Sequence, residues 1–302
     1  MNLALQPGLQ RVLWISYPNF VQEFVRAAVD LLTELGLPVQ LWQQAVWPPI
    51  AQLRDASTLF IISRGMDIST CPALPQNFII HQIEQCSCGA LQSATSPYSN
   101  ALRKAIFVWD YSPLNVRTLA KRLSLQRVGL LEFGYHPSLE NHVLPQQQHM
   151  SDILFIGTLC PRRSAILYAF QRAGLRVRVE SRVFGAQKSA LISGAKIVLN
   201  LHYYVNPSVL ETERLALLLA NRKCIVSETS SDAEVDLLYS AGVVFESSTA
   251  GLVLRCQELL AQPELRASLE HQAYQWFTQE MQLRQRWQNI DDLIGYFSKT
   301  DV

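Results

Sequence analysis

No stretch of this chain carries the roughly 18 consecutive apolar residues that a membrane-spanning helix needs. Charge of one sign is scarce as well. Lys and Arg total 26 against 25 Asp and Glu, a net of +1, so no bulk electrostatic case exists for nucleic acid as the partner. Cysteine occurs six times but without a framework. Cys71, Cys160, Cys224 and Cys256 are scattered, and Cys86-Ser-Cys88 is the only close pair. C-x-C alone is not a zinc spacing, and the plain reading is reduced thiols in a loop. The opening MNLALQPGLQRV has no basic region followed by an apolar run, so no signal peptide is expected and the expected setting is the cytoplasm. The absence of a span leaves open only peripheral contact with a membrane. Internal repeats and low-complexity segments are also lacking.

What is present is a rhythm. The 302 residues, 49% apolar and 17% charged, suit a folded chain of two domains of about 150 residues each. Short apolar strands at 11–16, 39–42, 59–63, 78–81, 106–109 and 128–131 alternate with helical spacing at 20–35 and 114–123. The polar run PQQQHMSD, 145–152, breaks the rhythm and reads as a linker. The alternation then restarts. Strands are expected at 153–156, 177–180, 197–201, 224–227 and 243–245, and helices at 163–173, 186–192 and 208–220. Helices at 249–261, 263–278 and about 283–297 close the chain. A βαβ rhythm implies parallel sheets covered by helices. The expected class is therefore α/β, with two Rossmann-like domains, 1–145 and 151–280, facing across a cleft. The stripe Tyr274, Trp276, Phe277, Met281, Trp287, Ile290, Leu293 and Phe297 reads as packing.

Ligands of parallel sheets sit beyond the carboxyl ends of the strands. In DILFIGTLCPRRSAIL, Gly157 and Thr158 follow a strand, and Arg162 and Arg163 start the next helix. A glycine admits close approach to the backbone, and a helix N-terminus offers free N–H groups. Two guanidiniums there would add phosphate donors, since arginines at that position oppose the helix dipole and need another reason to be present. A single glycine is not a dinucleotide fingerprint.

The stretch IVLNLHYYVNPSVLETERLALLLAN carries the second cluster. Asn200, His202, Tyr203 and Tyr204 leave the end of another strand. Rings can stack on a base, and hydroxyls and the amide can bind a sugar or phosphate. Ser208 is expected to cap the following helix, with Glu211 near its first turn. Taken alone, Glu211 is explained by the dipole, and Glu211 with Arg214 by an i, i+3 surface pair. In the first half, candidates at strand ends are Tyr17, Glu84, Asp110 and the pair Tyr135-His136. A carboxylate or His there could act as a general base. Asp110 is equally explained as a helix cap and Glu84 as a solvated loop acid.

Several segments together resemble the nucleotide-sugar-binding half of glycosyltransferases of the GT-B fold: FIGTLCPRR, SGAKIVLNLHYY, LETERLALLLANRKCIVSE, SSDAEVDLLYSAGVVF and QELLAQPELRASLEHQAYQWF. The pattern NLHYY…LExxR…LLAN…VSE is similar to a bacterial glycosyltransferase subgroup, and IIHQIEQ, FVWDYSPLN and LEFGYHPSLE resemble it more weakly. The resemblance implies a glycosyltransferase that moves a sugar from a nucleotide sugar, a UDP-sugar by expectation, to an acceptor that is a glycan, a protein or a small molecule. It assigns Gly157, Thr158, Arg162, Arg163, Asn200, His202, Tyr203, Tyr204, Glu211 and Arg214 to the donor. Tyr17 and Tyr135 fall on the acceptor side, and Glu84, Asp110 and His136 to catalysis. No cofactor or metal is implied: D-x-D is absent, and basic side chains with helix dipoles would stabilise the leaving diphosphate. The segment 281–302 is expected to cross back onto the first domain. In the best-known retaining branch a glutamate sits seven residues before a second one in the ribose-binding helix; Ala216 stands here where the second belongs, with Glu211 and Glu213 off register, so the stereochemical outcome does not carry over. The competing readings are a nucleotide-sugar-binding protein without turnover, partner or regulator of a glycosylation assembly, and a two-domain sensor of small molecules.

Overall fold

A run such as RVLWIS, apolar at odd and even positions alike, persists as a strand only when both faces are covered. In the computed structural model, which describes residues 3, 5–16, 21–86, 91, 93–140 and 151–298, this run is strand β1, Arg11–Ser16, with every residue after Arg11 buried. Helix α1, Gln22–Glu34, follows, and the chain leaves it through Gly36 at φ 80°, a left-handed turn that glycine makes without strain. Strands β2 (Val39–Gln43), β3 (Thr58–Ser63), β4 (Phe78–Gln82), β5 (Phe107–Asp110) and β6 (Val128–Leu130) complete the first sheet. Helices α2 (Ile50–Leu53), α3 (Pro97–Lys104) and α4 (Pro113–Leu123) lie between them. The strand order is β2-β1-β3-β4-β5-β6, and all neighbours are parallel.

The second sheet contains β7 (Ser151–Ile156), β8 (Val177–Glu180), β9 (Ala195–Asn200), β10 (Cys224–Glu228) and β11 (Val244–Glu246). Its order is β11-β10-β9-β7-β8, again all parallel. Helices α5 (Pro161–Arg172), α6 (Gly185–Ser193), α7 (Thr212–Ala220), α8 (Ala233–Tyr239), α9 (Thr249–Ala261) and α10 (Pro263–Glu280) accompany it. The chain runs from β7 outward to β8, then returns to the other flank of β7 as β9. The strand order therefore reverses between β7 and β9, and such a reversal opens a crevice beyond the carboxyl ends of the two strands. Phe155, Phe170, Ile197, Leu199, Val226, Leu252 and Leu259 form the core beneath. Cys224 and Cys256 sit in that core; burial pushes the Cys224 thiol up to about 12 and the Cys256 thiol up as well, so both stay protonated and inert.

The chain divides into two units, Met1–Gly134 with Leu283–Val302, and Tyr135–Gln282. The division differs from the boundary expected near residue 145. Phe133 packs edge-on against Phe24 in the first unit. Two residues later the Tyr135 amide donates to the Met281 carbonyl at 2.5 Å, so 135–140 belongs with the second unit. The stripe at the C-terminus divides as well. Trp276, Phe277 and Met281 stay in the second unit. Trp287 packs edge-on against Trp14 and Trp109, 5.8 and 5.2 Å between centroids, in the first. The last expected helix is two, α11 (Leu283–Arg286) and α12 (Ile290–Phe297), broken at Asn289 with φ 70°. Ser151 and Asp152, expected in the linker, begin β7. Tyr17, Cys88 and residues 145–150 lie outside the described residues.

Candidate active site

Three strands of the second sheet end in polar residues at one edge: β7 runs into Gly157, β9 ends at Asn200, and β10 ends in Ser227 and Glu228. Asn200 is fully buried and ties β9 to β10 and to the start of α7. Its Nδ2 donates to Glu211 Oε2 at 3.1 Å and to Ser227 Oγ at 3.0 Å, and its Oδ1 accepts from Arg214 Nη1 at 2.6 Å. Burying an amide costs free energy unless it is hydrogen-bonded, and here both ends are.

Glu211 is placed by the turn before α7. That helix begins at Thr212, four residues later than expected, and Glu211 is its N-cap residue without a side-chain capping bond. Ser208 does not cap it. Its amide donates instead to Ser231 Oγ at 3.0 Å. The Glu211 carboxylate is thereby free to turn inward, where its Oε2 accepts from His202 Nδ1 at 2.8 Å. His202 Nε2 lies 3.1 Å from the Thr229 carbonyl, which can only accept, so Nε2 carries a proton. An ionised carboxylate also only accepts, so Nδ1 carries one too and the ring is an imidazolium. Burial opposes charge on both groups, but the partnership overrides it. His202 is raised by the Glu211 carboxylate and further by Glu228. Glu211 is lowered by His202, then Arg214 and Arg163. Glu211 Oε1 and the adjacent Thr212 Oγ1 are buried without a hydrogen-bond partner.

The arginines are arranged differently from the expectation of two open guanidiniums at the start of α5. Arg163 is 3% exposed, and its donors go to backbone carbonyls: Nε and Nη2 to Leu201 at 3.1 and 2.5 Å, and Nη1 to Thr158 at 2.7 Å. Its guanidinium lies over the rings of Phe155 and Tyr203 and 3.8 Å from Glu211 Oε1. Burial and the neighbouring Arg214 lower its pKa to about 10, which still leaves it charged near neutrality. Arg162 forms a two-pronged ion pair with Glu228, with Nη1 to Oε2 at 2.9 Å and Nη2 to Oε1, and also donates to the His202 carbonyl at 2.9 Å. Arg214 is the less committed guanidinium. A Cβ placed on Gly157 would lie 3.6 Å from Arg214 Nη2, 3.3 Å from Arg163 Nη1 and 3.0 Å from Phe155. Gly157 is thus the gap through which the backbone end of β7 meets two positive charges. Thr158 is exposed beside it, and Tyr203 and Tyr204 lie ring edge to ring face, 4.9 Å between centroids.

Glu228 was not among the candidates. It accepts from the His202 amide at 2.9 Å as well as from Arg162, and so ties β10 to the β9 loop. Its signal in the sequence was its place at the end of CIVSE, the same edge that singled out Asn200.

The remaining candidates do not enter this cluster. Tyr135 and His136 belong to the second unit, not the first as expected. Tyr135 Oη donates to Glu140 Oε1 at 2.7 Å, and burial with the Glu140 contact raises its pKa, which leaves it a poor proton acceptor. His136 is buried and accepts from the Ser138 amide at 3.3 Å. In the first unit Asp110 is fully enclosed. It accepts from the Ser112 amide at 2.8 Å, Asn115 Nδ2 at 3.2 Å and Gln82 Nε2 at 2.7 Å. Burial pushes its pKa up to about 8. The cap of α4 is Ser112, whose Oγ accepts from the Asn115 amide, and not Asp110 as weighed, which holds the turn just before it. Glu84 lies against Gly65. Its carbonyl accepts from Gln82 and Asn115 at 2.6 and 3.2 Å. Among the described residues no three His, Cys, Asp or Glu side chains converge on a point that could hold a metal ion.

The model of the glycosyl transferase-like family matches residues 147–292, the segment that builds this edge. Curated protein sequences give no match to the chain. Solved structures do. WaaG, a glycosyltransferase involved in lipopolysaccharide biosynthesis, is 13% identical with a TM-score of 0.57, over 89% of this chain and 95% of that one. An α-glucosyltransferase in complex with UDP-glucose and DNA containing an abasic site is 10% identical with a TM-score of 0.64, over 95% and 100%. Anabaena HepE in complex with UDP and glucose is 12% identical with a TM-score of 0.57, over 95% and 99%. At these identities the likeness is one of fold, and the fold is GT-B. The family match covers just under half of the chain, and the fold of the whole agrees with it.

Proposed function

We propose that the chain transfers a sugar from a nucleotide-sugar donor, a UDP-sugar by preference, and that the donor sits at the carboxyl edge of β7, β9 and β10. The observation that carries this reading is the convergence of Gly157, Arg163, Asn200, His202, Glu211 and Arg214 where the strand order reverses. Two structures of the same fold hold UDP or UDP-glucose, which favours uridine.

Each residue has a role under this reading. Gly157 lets the diphosphate approach the backbone, and the N-terminus of α5 supplies free N–H groups and a positive dipole. Arg214 stabilises charge as it builds on the leaving diphosphate. Arg163 contributes its field from beneath, with its geometry locked by Leu201 and Thr158. Arg162 is held by Glu228 and reaches a phosphate only by leaving that carboxylate. Glu211, kept ionised by His202, accepts from the hydroxyls of the nucleotide ribose, with Oε1 the atom whose hydrogen bond is unmade. Tyr203 and Tyr204 offer ring surface to the base. The reaction proceeds without a metal, its work done by these fixed cations.

The reading is tested by thermal-shift measurement with UDP, GDP, dTDP, CMP and their sugars, followed by hydrolysis and transfer assays with the ligand that binds. A ligand that binds only the folded state raises the midpoint. Stabilisation by a uridine nucleotide, with turnover that survives EDTA, is expected. No stabilisation by any nucleotide would overturn the donor site. Activity lost to EDTA and restored by Mn²⁺ or Mg²⁺ would overturn the metal-free step.

A further inference from the structure

The chain is nearly neutral, yet 97–127 is not. It holds Arg103, Lys104, Arg117, Lys121, Arg122 and Arg127 against a single acid, Asp110. All six cations are exposed, whereas Asp110 is fully buried at the end of β5. Topology gathers five of the six on one side, Arg117 lying midway along α4. Helix α3 feeds β5 and α4 feeds β6, so the last turns of both helices and the turn 124–127 lie at the amino-terminal edge of the sheet. Asp110 marks the opposite edge.

A pocket of about 310 Å³ opens there, with Leu102, Ala105, Leu123 and Leu125 in its lining beside the polar Ser124 and Gln126 and the cations Arg103 and Arg127. Cations in the last turn of a helix are favoured by the dipole alone, which accounts for Arg103, Lys104, Lys121 and Arg122 one at a time. It does not account for Arg127, which lies outside any helix, nor for the pocket. Lys104, Lys121 and Arg127 form no ion pair among the described residues, so their charge is available to an external anion.

We propose that this edge of the first unit docks on an acidic phospholipid bilayer, with the pocket taking a phosphate headgroup. Charge complementarity selects an anionic surface. The leucine-lined floor selects a lipid over a nucleic acid backbone, which has no apolar part to place there, and the patch shows no exposed ring on which a base could stack. No described helix is long and apolar enough to cross a membrane, so the contact is peripheral. The proposal goes beyond the donor site and stands apart from it.

The test is co-sedimentation with vesicles of phosphatidylcholine alone and of phosphatidylcholine mixed with phosphatidylglycerol. Binding to the mixed vesicles only, weakened by high salt, is expected. Lys104→Glu with Arg127→Glu should weaken it roughly twenty-fold or more, while Arg172→Glu with Arg176→Glu, which shifts net charge equally on the second unit, should leave it close to wild type. Thermal midpoints of both variants verify folding, since all four side chains are exposed. Equal binding to both vesicle types, or equal loss in the two variants, would overturn the proposal. So would displacement by soluble glycerol phosphate at the same phosphate concentration, which would mark a pocket for a free anion. Tighter binding to duplex DNA than to the mixed vesicles, lost in the first variant alone, would reassign the surface to nucleic acid.

Discussion

The imidazolium of His202 and the carboxylate of Glu211 meet at 2.8 Å beneath the edge of the second sheet, with His202 only 2% exposed. A pair so enclosed ties stability to pH in two directions. Glu211 is lowered from 4.5, so its contribution is present above that value and is lost as pH falls through the depressed pKa. His202 is raised from 6.5, so its contribution is full below that value and is lost as pH rises through the elevated one.

The thermal midpoint should therefore decline as pH rises above 6.5, through deprotonation of His202. His202→Gln, which keeps a donor toward Glu211 but cannot titrate, should flatten that limb and also shrink the acid limb, since the charge that chiefly lowers Glu211 is gone. Midpoints across the pH range for the two proteins check this. An alkaline decline of unchanged size in the variant would assign it to another group.

The neighbouring arginines should separate by readout. Arg163→Ala removes donors from the carbonyls of Leu201 and Thr158 and strands the buried one, Leu201, so it should cost stability by about 1–3 kcal/mol. Arg214→Ala strands the buried Asn200 Oδ1, at a cost of about 1–3 kcal/mol in stability, and should in addition weaken nucleotide diphosphate binding by about 1.5–3 kcal/mol, the worth of a hydrogen bond to a charged group. Denaturant unfolding and nucleotide titration of both variants check the split. Equal nucleotide affinity in wild type and Arg214→Ala would place the phosphates elsewhere.

Gly157→Ala offers a steric test at the same place. The added methyl would sit 3.0 Å from Phe155 and 3.3 Å from Arg163 Nη1, both buried, so one of them must shift by a few tenths of an ångström. Donor affinity should fall at least tenfold while the far-ultraviolet circular dichroism stays unchanged. A variant that binds nucleotide like wild type would show that no ligand approaches this backbone.

Much of this was legible in the chain itself. Runs such as RVLWIS and IVLNL announce strands buried on both faces, and glycines such as Gly36 and Gly174 mark where helices stop. Asn200 and His202 followed from one rule, that parallel strands present ligand residues at their carboxyl ends, and Glu211 from the resemblance alone. Glu228 obeys the same rule on β10, where it was not applied. The arginines were harder to read. A guanidinium reaches several ångströms, and its partner is chosen by residues remote in sequence: Glu228 for Arg162, and the Leu201 carbonyl for Arg163. The unit holding Tyr135 and His136 was likewise hidden, because the Met281 carbonyl that recruits Tyr135 lies in the stretch where the chain prepares to return to the first unit. Asp110 looked like a strand-end acid, and only packing reveals that Gln82, Ser112 and Asn115 enclose it.

The donor site is tested most directly by calorimetric titration of the stabilising nucleotide into Glu211→Gln and Glu213→Gln. Glu211 turns inward onto Asn200 and His202, whereas Glu213, two residues on, lies about 200° further round the helix. Glu211→Gln should weaken binding roughly ten- to a hundredfold, in keeping with a lost charged hydrogen bond of about 1.5–3 kcal/mol. Glu213→Gln should bind as wild type does. Loss confined to the Glu213 variant, or to neither, would contradict a nucleotide held by Glu211 at the edge of β7 and β9.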